Sequence, residues 1–199
     1  MKNQRGAVSA VLLILLAFLG TGVVLLIGVA MWIMSIDNTY NPVETSIKTE
    51  YNYAISSNSQ YTLRILTMAQ VPEMQKNDMK ELITAAMQGR YGADGSKAVF
   101  QMLKEQNPNL DPALYSNIQK EIVGGTKDFD KIMRTLEDKK QSAINLLNRK
   151  PTGWILQNIL GYPELHFGYK GDTDDYPVIK SVQSKETFET GIDKGLKLR

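Results

Sequence analysis

The sequence predicts an all-α protein: one N-terminal transmembrane helix, then an antiparallel bundle of long helices and a partly extended C-terminal tail. Three observations support this fold class. An uncharged apolar run lies near the N-terminus, apolar residues recur three and four apart over most of the remaining chain, and strand-like alternation is absent. We expect a short flank over residues 1–6, the membrane helix over 7–36, the bundle domain over 41–163 and the tail over 164–199.

The composition limits the classes of function. The 199-residue chain has no cysteine, which excludes disulfides, thiolate metal sites and a cysteine nucleophile. Lys2 and Arg5 are the only charged side chains before Asp37, and the remaining 21 of the 23 basic residues balance 21 acidic ones. Because binding to a phosphate backbone needs a clustered basic excess, we expect no nucleic acid as a partner.

The membrane helix is predicted from the length of the apolar run. No residue from Gly6 to Ile36 carries a charge. A bilayer core about 30 Å thick needs about 20 helical residues. A secretory signal peptide has an apolar stretch of only about 7–15 residues, followed by a cleavage site with small residues. The run exceeds both lengths, so we expect a retained anchor, with Trp32 and Tyr40 suited to the membrane–water interface.

The orientation of this anchor follows from the flanking basic residues. Lys2 and Arg5 precede the apolar run, whereas Lys48 is the only basic residue in the stretch 37–50 that follows it. The positive-inside rule therefore predicts a single-pass protein with its N-terminus in the cytoplasm and its helical domain outside the cytoplasm.

The dipeptide Arg5–Gly6 before an apolar helix also resembles the leader of pilin-like proteins. Those leaders usually place a glutamate at the fifth position after the cleavage glycine, where this chain has Val11. A pilin-like or phage-encoded structural subunit of the cell envelope is therefore an alternative interpretation.

The first helix of the domain is predicted to begin at Asn41. Asparagine suits an N-cap, Pro42 suits the first helical position, and Glu44 is placed to reach back to the capping residue. Tyr53 lies off the predicted buried stripe and is a candidate for facing a partner, although a surface aromatic residue without a role is the simpler interpretation. The stripe, spaced three and four apart, consists of Ile47, Tyr51, Ala54, Asn58, Tyr61, Ile65 and Met68.

Three further helices are predicted, over residues 77–90, over 96–106 and from Asp111–Pro112 to about Asn148. Gly125 interrupts good helix formers in the longest of them, which indicates either a close helix crossing or a local kink. The predicted inward positions of the two shorter helices are Met79, Leu82, Ile83, Met87, Val99, Phe100 and Leu103. In the longest helix they are Ile118, Ile122, Gly125, Phe129, Ile132, Leu136, Ala143 and Leu146, with Lys139 in a polar gap.

The last part of the chain is predicted to have little regular structure. The apolar stretch 154–163 is expected to cover one end of the bundle. The tail after it is polar, and we expect it to be extended or mobile and to dock at Phe167 and Tyr169 at most.

The order of these parts resembles the LemA family of bacterial membrane proteins. The resemblance covers roughly residues 25 to 165, and it rests on the dipeptide Tyr40–Asn41, on Pro108-Asn109-Leu110 followed by the helix segment 118–126, and on the late segment 158–162. It implies a bundle of long helices on one membrane helix, and the family has no established reaction. The positions that match the family's motifs are Tyr40, Asn41, Gly125, Thr126, Gly161 and Tyr162.

No catalytic, cofactor-binding or metal-binding residue is predicted. His166 is the only histidine, which excludes a His-Glu-x-x-His metal helix. Asp172, Asp174 and Asp175 could offer oxygens to calcium or magnesium, but Tyr176 stands where an EF-hand loop needs an oxygen ligand, so a solvated acidic loop is the simpler interpretation.

The favoured function is therefore a membrane-anchored, non-enzymatic interaction or scaffold protein without a cofactor. Its expected partners are the membrane and other proteins, including a second copy of the chain. A metal-dependent enzyme with a site near residues 162–176 is the less favoured alternative.

Overall fold

The structure is a computed structural model that describes residues 2–69, 76–88, 95–106 and 112–180. Within these ranges the chain forms five α-helices and no β-strand, which confirms the predicted helical class. Residues 70–75, 89–94 and 107–111, which include the joins between the predicted helices, lie outside the described residues. The helices are α1 Lys2–Met68, α2 Lys76–Met87, α3 Gly95–Gln106, α4 Pro112–Asn148 and α5 Thr152–Asn158.

The long first helix differs from the prediction at its middle. The prediction of a new helix beginning at Asn41 is wrong, because α1 runs without interruption from the apolar segment through Pro42. Proline removes one main-chain hydrogen bond, here to the carbonyl of Asn38. Tyr40 before Pro42 and Ile47 after it are both fully buried on the side that packs against the rest of the domain. Packing on both sides of the proline therefore holds the helix direction.

Helices α1 and α4 pack along each other in opposite directions. The Tyr61 hydroxyl of α1 donates a hydrogen bond to Asp128, at 2.5 Å, and Arg64, further along α1, forms an ion pair with Glu121, earlier in α4, at 3.6 Å. The described residues include one helix, α1, that is long and apolar enough to cross a membrane. Its most apolar stretch has a mean hydropathy of 2.8 and is not buried in the protein.

Two hydrophobic cores lie along this helix pair. We call the one nearer the apolar segment of α1 the proximal core. Its buried residues are Ile36, Tyr40, Ile47, Ala54, Phe129, Ile132, Met133, Leu136, Ala143, Leu147, Ile155, Leu156, Tyr162, Phe167 and Tyr169. The distal core consists of Ile65, Leu66, Ala69, Met79, Ile83, Ala86, Met87, Val99, Leu103, Ile118 and Ile122.

The buried stripe of α4 is confirmed over most of its length and shifts by one residue near its end. Lys140 and Leu147 are buried there, whereas the predicted Lys139 and Leu146 are only partly buried. The reason is that a straight helix has 3.6 residues per turn, so a stripe extrapolated at 3.5 residues per turn drifts off the buried face.

At the crossing of α1, α2 and α4 the chain has Gly125. A Cβ atom at this position would lie 2.5 Å from the sulfur of Met87 and 3.2 Å from the ring of Tyr61. Of the two interpretations offered by the sequence, the close helix crossing is therefore the one found, and α4 is helical throughout.

The segment after α5 is docked more extensively than predicted. Phe167 and Tyr169 are buried as expected, but Tyr176, Val178 and Ile179 also pack against the proximal core. Docking at Phe167 and Tyr169 alone is therefore a wrong prediction for residues 164–180. The segment is otherwise non-helical, apart from a short 3-10 turn at Tyr169–Gly171. Residues 181–199 lie outside the described part.

Candidate functional site

The junction between the apolar segment of α1 and the rest of the domain concentrates the polar contacts of the protein. We define the junction as residues 33–47 of α1, the end of α4, α5 and residues 160–170. Glu44 is buried, and its carboxylate accepts a hydrogen bond from the main-chain N–H of Leu165, at 2.7 Å. Burial raises the pKa of Glu44, and the hydrogen bonds from the main chain of Leu165 and Glu164 oppose that rise.

Two tyrosines meet in the same place. The rings of Tyr40 and Tyr162 have centroids 4.6 Å apart, and the Tyr162 hydroxyl donates a hydrogen bond to Asp37, at 2.6 Å. The Tyr40 hydroxyl is buried and has no hydrogen-bond partner among the described residues. Burial raises the pKa of both tyrosines, so both stay protonated at neutral pH. Tyr40 therefore keeps a hydroxyl without a partner among the described residues, close to the buried Glu44.

A groove of about 170 Å³ lies between α1 and the corner that joins α4 to α5. Gly153 makes this corner possible, because a Cβ atom at this position would collide with the main-chain carbonyl of Leu147. Next to the groove in the chain are Lys150, Trp154 and Ile159, all exposed. The groove is lined by Ser35, Ile36, Thr39, Tyr40, Leu146, Arg149, Thr152 and Leu156.

A second, wider groove surrounds Pro42. It encloses about 560 Å³, is open to solvent, and is lined mostly by amide and hydroxyl side chains. Asn41 contributes its side-chain oxygen, which accepts a hydrogen bond from Thr45, at 3.1 Å. Lys139 of α4 also lines this groove. It lies off the buried stripe because the stripe shifts by one residue to Lys140.

The outward face of α1 beyond the junction carries almost no charge. Between Glu50 and Glu73 the only charged residue is Arg64. Tyr53 is 58% exposed and Leu63 is 54% exposed, so large side chains stand on this face without cover from the described residues. By contrast, 11 of the 37 residues of α4 are charged.

The structure brings together only some of the positions on which the resemblance to the LemA family rests. Tyr40, Gly161 and Tyr162 lie together at the junction, with Gly161 at a φ of 80°. Asn41 is exposed and lines the wider groove around Pro42. Gly125 and Thr126 lie about 30 Å away along α4, near the distal core. The hydroxyl of Thr126 donates a hydrogen bond to the main-chain carbonyl of Ile122 within the same helix.

The region considered for a metal site is occupied by contacts within the protein. Both carboxylate oxygens of Asp174 accept hydrogen bonds from Lys140, at 2.7 Å, and Asp172 lies 2.6 Å from the imidazole of His166. The hydrogen bond with Asp172 raises the pKa of His166, and the same bond lowers the pKa of Asp172. Over the part of the chain that the structure describes, no group of three or more His, Asp or Glu side chains could hold a metal ion.

Sequence reasoning missed three residues of the junction: Glu44, Lys140 and Arg149. Glu44 and Lys140 carried a signal, because each lies three or four residues from apolar members of a buried stripe. Arg149 carried none, since its place in the groove depends on the corner after α4.

Comparison with protein-family models, with curated protein sequences and with solved structures finds no match to this chain.

Proposed function

We propose that the protein is a membrane-anchored helical scaffold that binds other proteins through the outward face of α1, with no catalytic role of its own. In this proposal the apolar segment of α1 spans the bilayer, and the remaining helices form an antiparallel bundle, as the resemblance to the LemA family implies. Because α1 is one continuous helix, the membrane segment and the binding face belong to the same rigid rod.

The observation that carries the proposal is the missing charge on the outward face of α1. Solvated helix faces are usually rich in charged residues, as α4 is here. The centres of protein interfaces are depleted in charge and enriched in tyrosine. Apart from Arg64, which pairs with Glu121 of α4, the residues on this face are Thr49, Asn52, Tyr53, Ser56, Ser59, Gln60, Leu63 and Thr67, none of which is charged and all of which are exposed.

A second copy of the chain is the first partner to test. The protein has no cysteine, so a single Ser56→Cys variant reports proximity on the outward face of α1, and Lys127→Cys on α4 is the matched control. We expect oxidation in native membranes to give a covalent dimer for Ser56→Cys and monomer for Lys127→Cys.

Crosslinking at the same face tests for a partner other than a second copy of the chain. A photo-crosslinking amino acid at Tyr53 should give discrete adducts in cells, whereas the same amino acid at Asp130 on α4 should give none. Equal crosslinking from both helices, or none from α1 in either experiment, would contradict the binding face.

The proposed topology has its own measurement. We propose the N-terminus in the cytoplasm and the helical domain outside it, from the basic residues that flank the apolar segment. Treatment of intact cells with a membrane-impermeant maleimide, with any outer membrane permeabilised, should label Lys127→Cys. Labelling that needs lysis of the inner membrane would place the domain in the cytoplasm and reverse the orientation.

A further inference from the structure

We propose that the groove between α1 and the corner joining α4 to α5 binds the phosphate headgroup of an anionic phospholipid at the membrane surface. This inference rests on the proposed membrane anchor and adds a second contact between the protein and the bilayer. Four steps support it: the depth of the groove, the free donors that line it, the charge around it, and the exposed side chains beside it.

The groove lies at the depth of lipid headgroups if Trp32 sits at the membrane–water interface, where tryptophan is enriched. Along a helix that rises 1.5 Å per residue, Ser35 lies about 4.5 Å beyond Trp32 and Tyr40 about 12 Å beyond it. The headgroup layer occupies roughly 5–8 Å on each side of the hydrocarbon core. The lining residues Ser35 and Ile36 therefore coincide with that layer, and Thr39 and Tyr40 lie just beyond it.

The groove is lined by hydrogen-bond donors, some of which suit a phosphate group. The Thr39 and Thr152 hydroxyls donate to main-chain carbonyls, so they are already used. Arg149 is exposed and forms no ion pair with any described residue. The buried Tyr40 hydroxyl also lacks a partner there. The exposed guanidinium of Arg149 needs acceptors and matches the oxygens of a phosphodiester, whereas the Tyr40 hydroxyl is shielded by its burial.

The charge near the groove favours an anion. The stretch from Lys139 to Pro163 contains four basic residues and no acidic one. Two of the four, Arg149 and Lys150, stand at the corner itself. Asp37, the nearest acidic residue on α1, already accepts the hydrogen bond from Tyr162. Arg149 and Lys150 supply the positive charge that a phosphate in the groove would meet, and basic residues near an anionic leaflet are attracted to it.

Exposed apolar side chains beside the groove also suit a membrane surface. Trp154 is 58% exposed and Ile159 is 53% exposed, and both follow the corner in the chain. Tryptophan pairs an apolar ring with a hydrogen-bonding N–H and favours the boundary between headgroups and acyl chains. A basic corner next to an exposed tryptophan is thus a surface that a lipid bilayer would cover.

The binding test uses the full chain in mild detergent and native mass spectrometry with added phosphatidylglycerol or phosphatidylcholine. We expect phosphatidylglycerol to be retained preferentially, and Arg149→Gln to weaken its retention about tenfold or more. Lys127→Gln is the control, since it removes one exposed basic residue of α4 about 33 Å from Arg149. Equal retention of the two lipids, or equal loss in the two variants, would overturn the proposal. Competition by millimolar inorganic phosphate alone would identify a free-phosphate site instead and would also overturn it.

The two tryptophans separate failure of the headgroup site from failure of the anchor. In vesicles containing brominated phosphatidylcholine and phosphatidylglycerol, Trp154→Phe leaves Trp32 as the reporter, and Trp32→Phe leaves Trp154. We expect quenching of both reporters, with that of Trp154 reduced by Arg149→Gln. Quenching of Trp32 without quenching of Trp154 would refute the headgroup contact and keep the anchor. The absence of quenching at Trp32 would refute the anchor itself.

Discussion

The proximal core includes five aromatic side chains, whereas the buried residues of the distal core are all aliphatic or methionine. Glu44 and Lys140 are buried beside the proximal core, and each bonds to the segment after α5. These contacts join residues far apart in the chain: 121 residues separate Glu44 from Leu165, and 125 separate Asp37 from Tyr162.

This difference between the cores shows which interactions position the two ends of the α1–α4 pair. Apolar packing is not directional, so the distal core is positioned mainly by the shapes of its helix surfaces, as at the Gly125 crossing. Buried polar groups must find specific partners, so the contacts of the proximal core fix one position for the last segment of the chain. The end next to the apolar segment of α1 is therefore the more precisely defined one.

The largest effects on stability should come from truncating one buried side chain in each core separately. Leu136→Ala in the proximal core and Ile83→Ala in the distal core should each lower the free energy of unfolding by about 2–5 kcal/mol, because both side chains are fully buried. Unfolding of the full chain in detergent, followed by circular dichroism, measures both. A single transition lowered by either variant would mean that the cores unfold together, whereas two transitions, each moved by one variant, would mean that they are independent.

The next effect concerns the helix crossing at the distal core. Gly125→Leu should lower the free energy of unfolding by about 1–3 kcal/mol, since the new side chain must displace Met87 and Tyr61. Gly124→Ala is the matched control: its Cβ would lie 3.7 Å from the ring of Tyr61, an ordinary contact, so higher helix propensity should stabilise the protein by up to about 1 kcal/mol. Equal destabilisation by both substitutions would argue against a specific crossing at Gly125.

A smaller effect tests the polar contact of the proximal core. Glu44→Ala should cost about 1–2 kcal/mol, because the partly buried N–H of Leu165 loses its acceptor. Glu44→Gln keeps an acceptor oxygen and should cost less.

The pH dependence of Glu44 sharpens this test. Its pKa is raised in the folded protein, so its contribution to stability is fully present below the ordinary value of 4.5 and is lost as the pH rises through the folded value. The difference in stability between wild type and Glu44→Gln should therefore shift in favour of the variant as the pH rises through this window. A difference independent of pH would show that Glu44 is not buried as described.

The smallest effect concerns the exposed pair of His166 and Asp172. The pKa of His166 is raised, so the stability it contributes is present below 6.5 and is lost as the pH rises through the folded value. The pKa of Asp172 is lowered, so its contribution is present above 3.8 and is lost as the pH falls through the folded value. Proton NMR titration should show a His166 pKa that returns toward 6.5 in Asp172→Asn. An unchanged His166 pKa would contradict the contact.

Much of the helical fold could be predicted from the sequence because buried positions recur with the period of the helix. Met79, Ile83 and Met87 face the distal core as the spacing predicts, and Tyr53 is exposed as its place off the stripe predicts. Local signals failed at Asn41, where a favourable N-cap and a proline predicted a helix start inside what is one helix. Local propensity is weak beside packing, and the buried residues on both sides of Pro42 outweigh it.

The candidate site was less predictable, because its residues come from distant parts of the chain. The sequence by itself determined the helical class, the uncharged apolar segment and the stripes that face each core, since these depend on composition and on a period of 3.6 residues. Only the tertiary structure decided that Arg149 stands beside Ser35 and Tyr40, that Glu44 binds Leu165, and that residues 164–180 dock on the helices. The physical reason is that each of these contacts depends on the path of the chain between its partners, and no local pattern of side chains encodes that path.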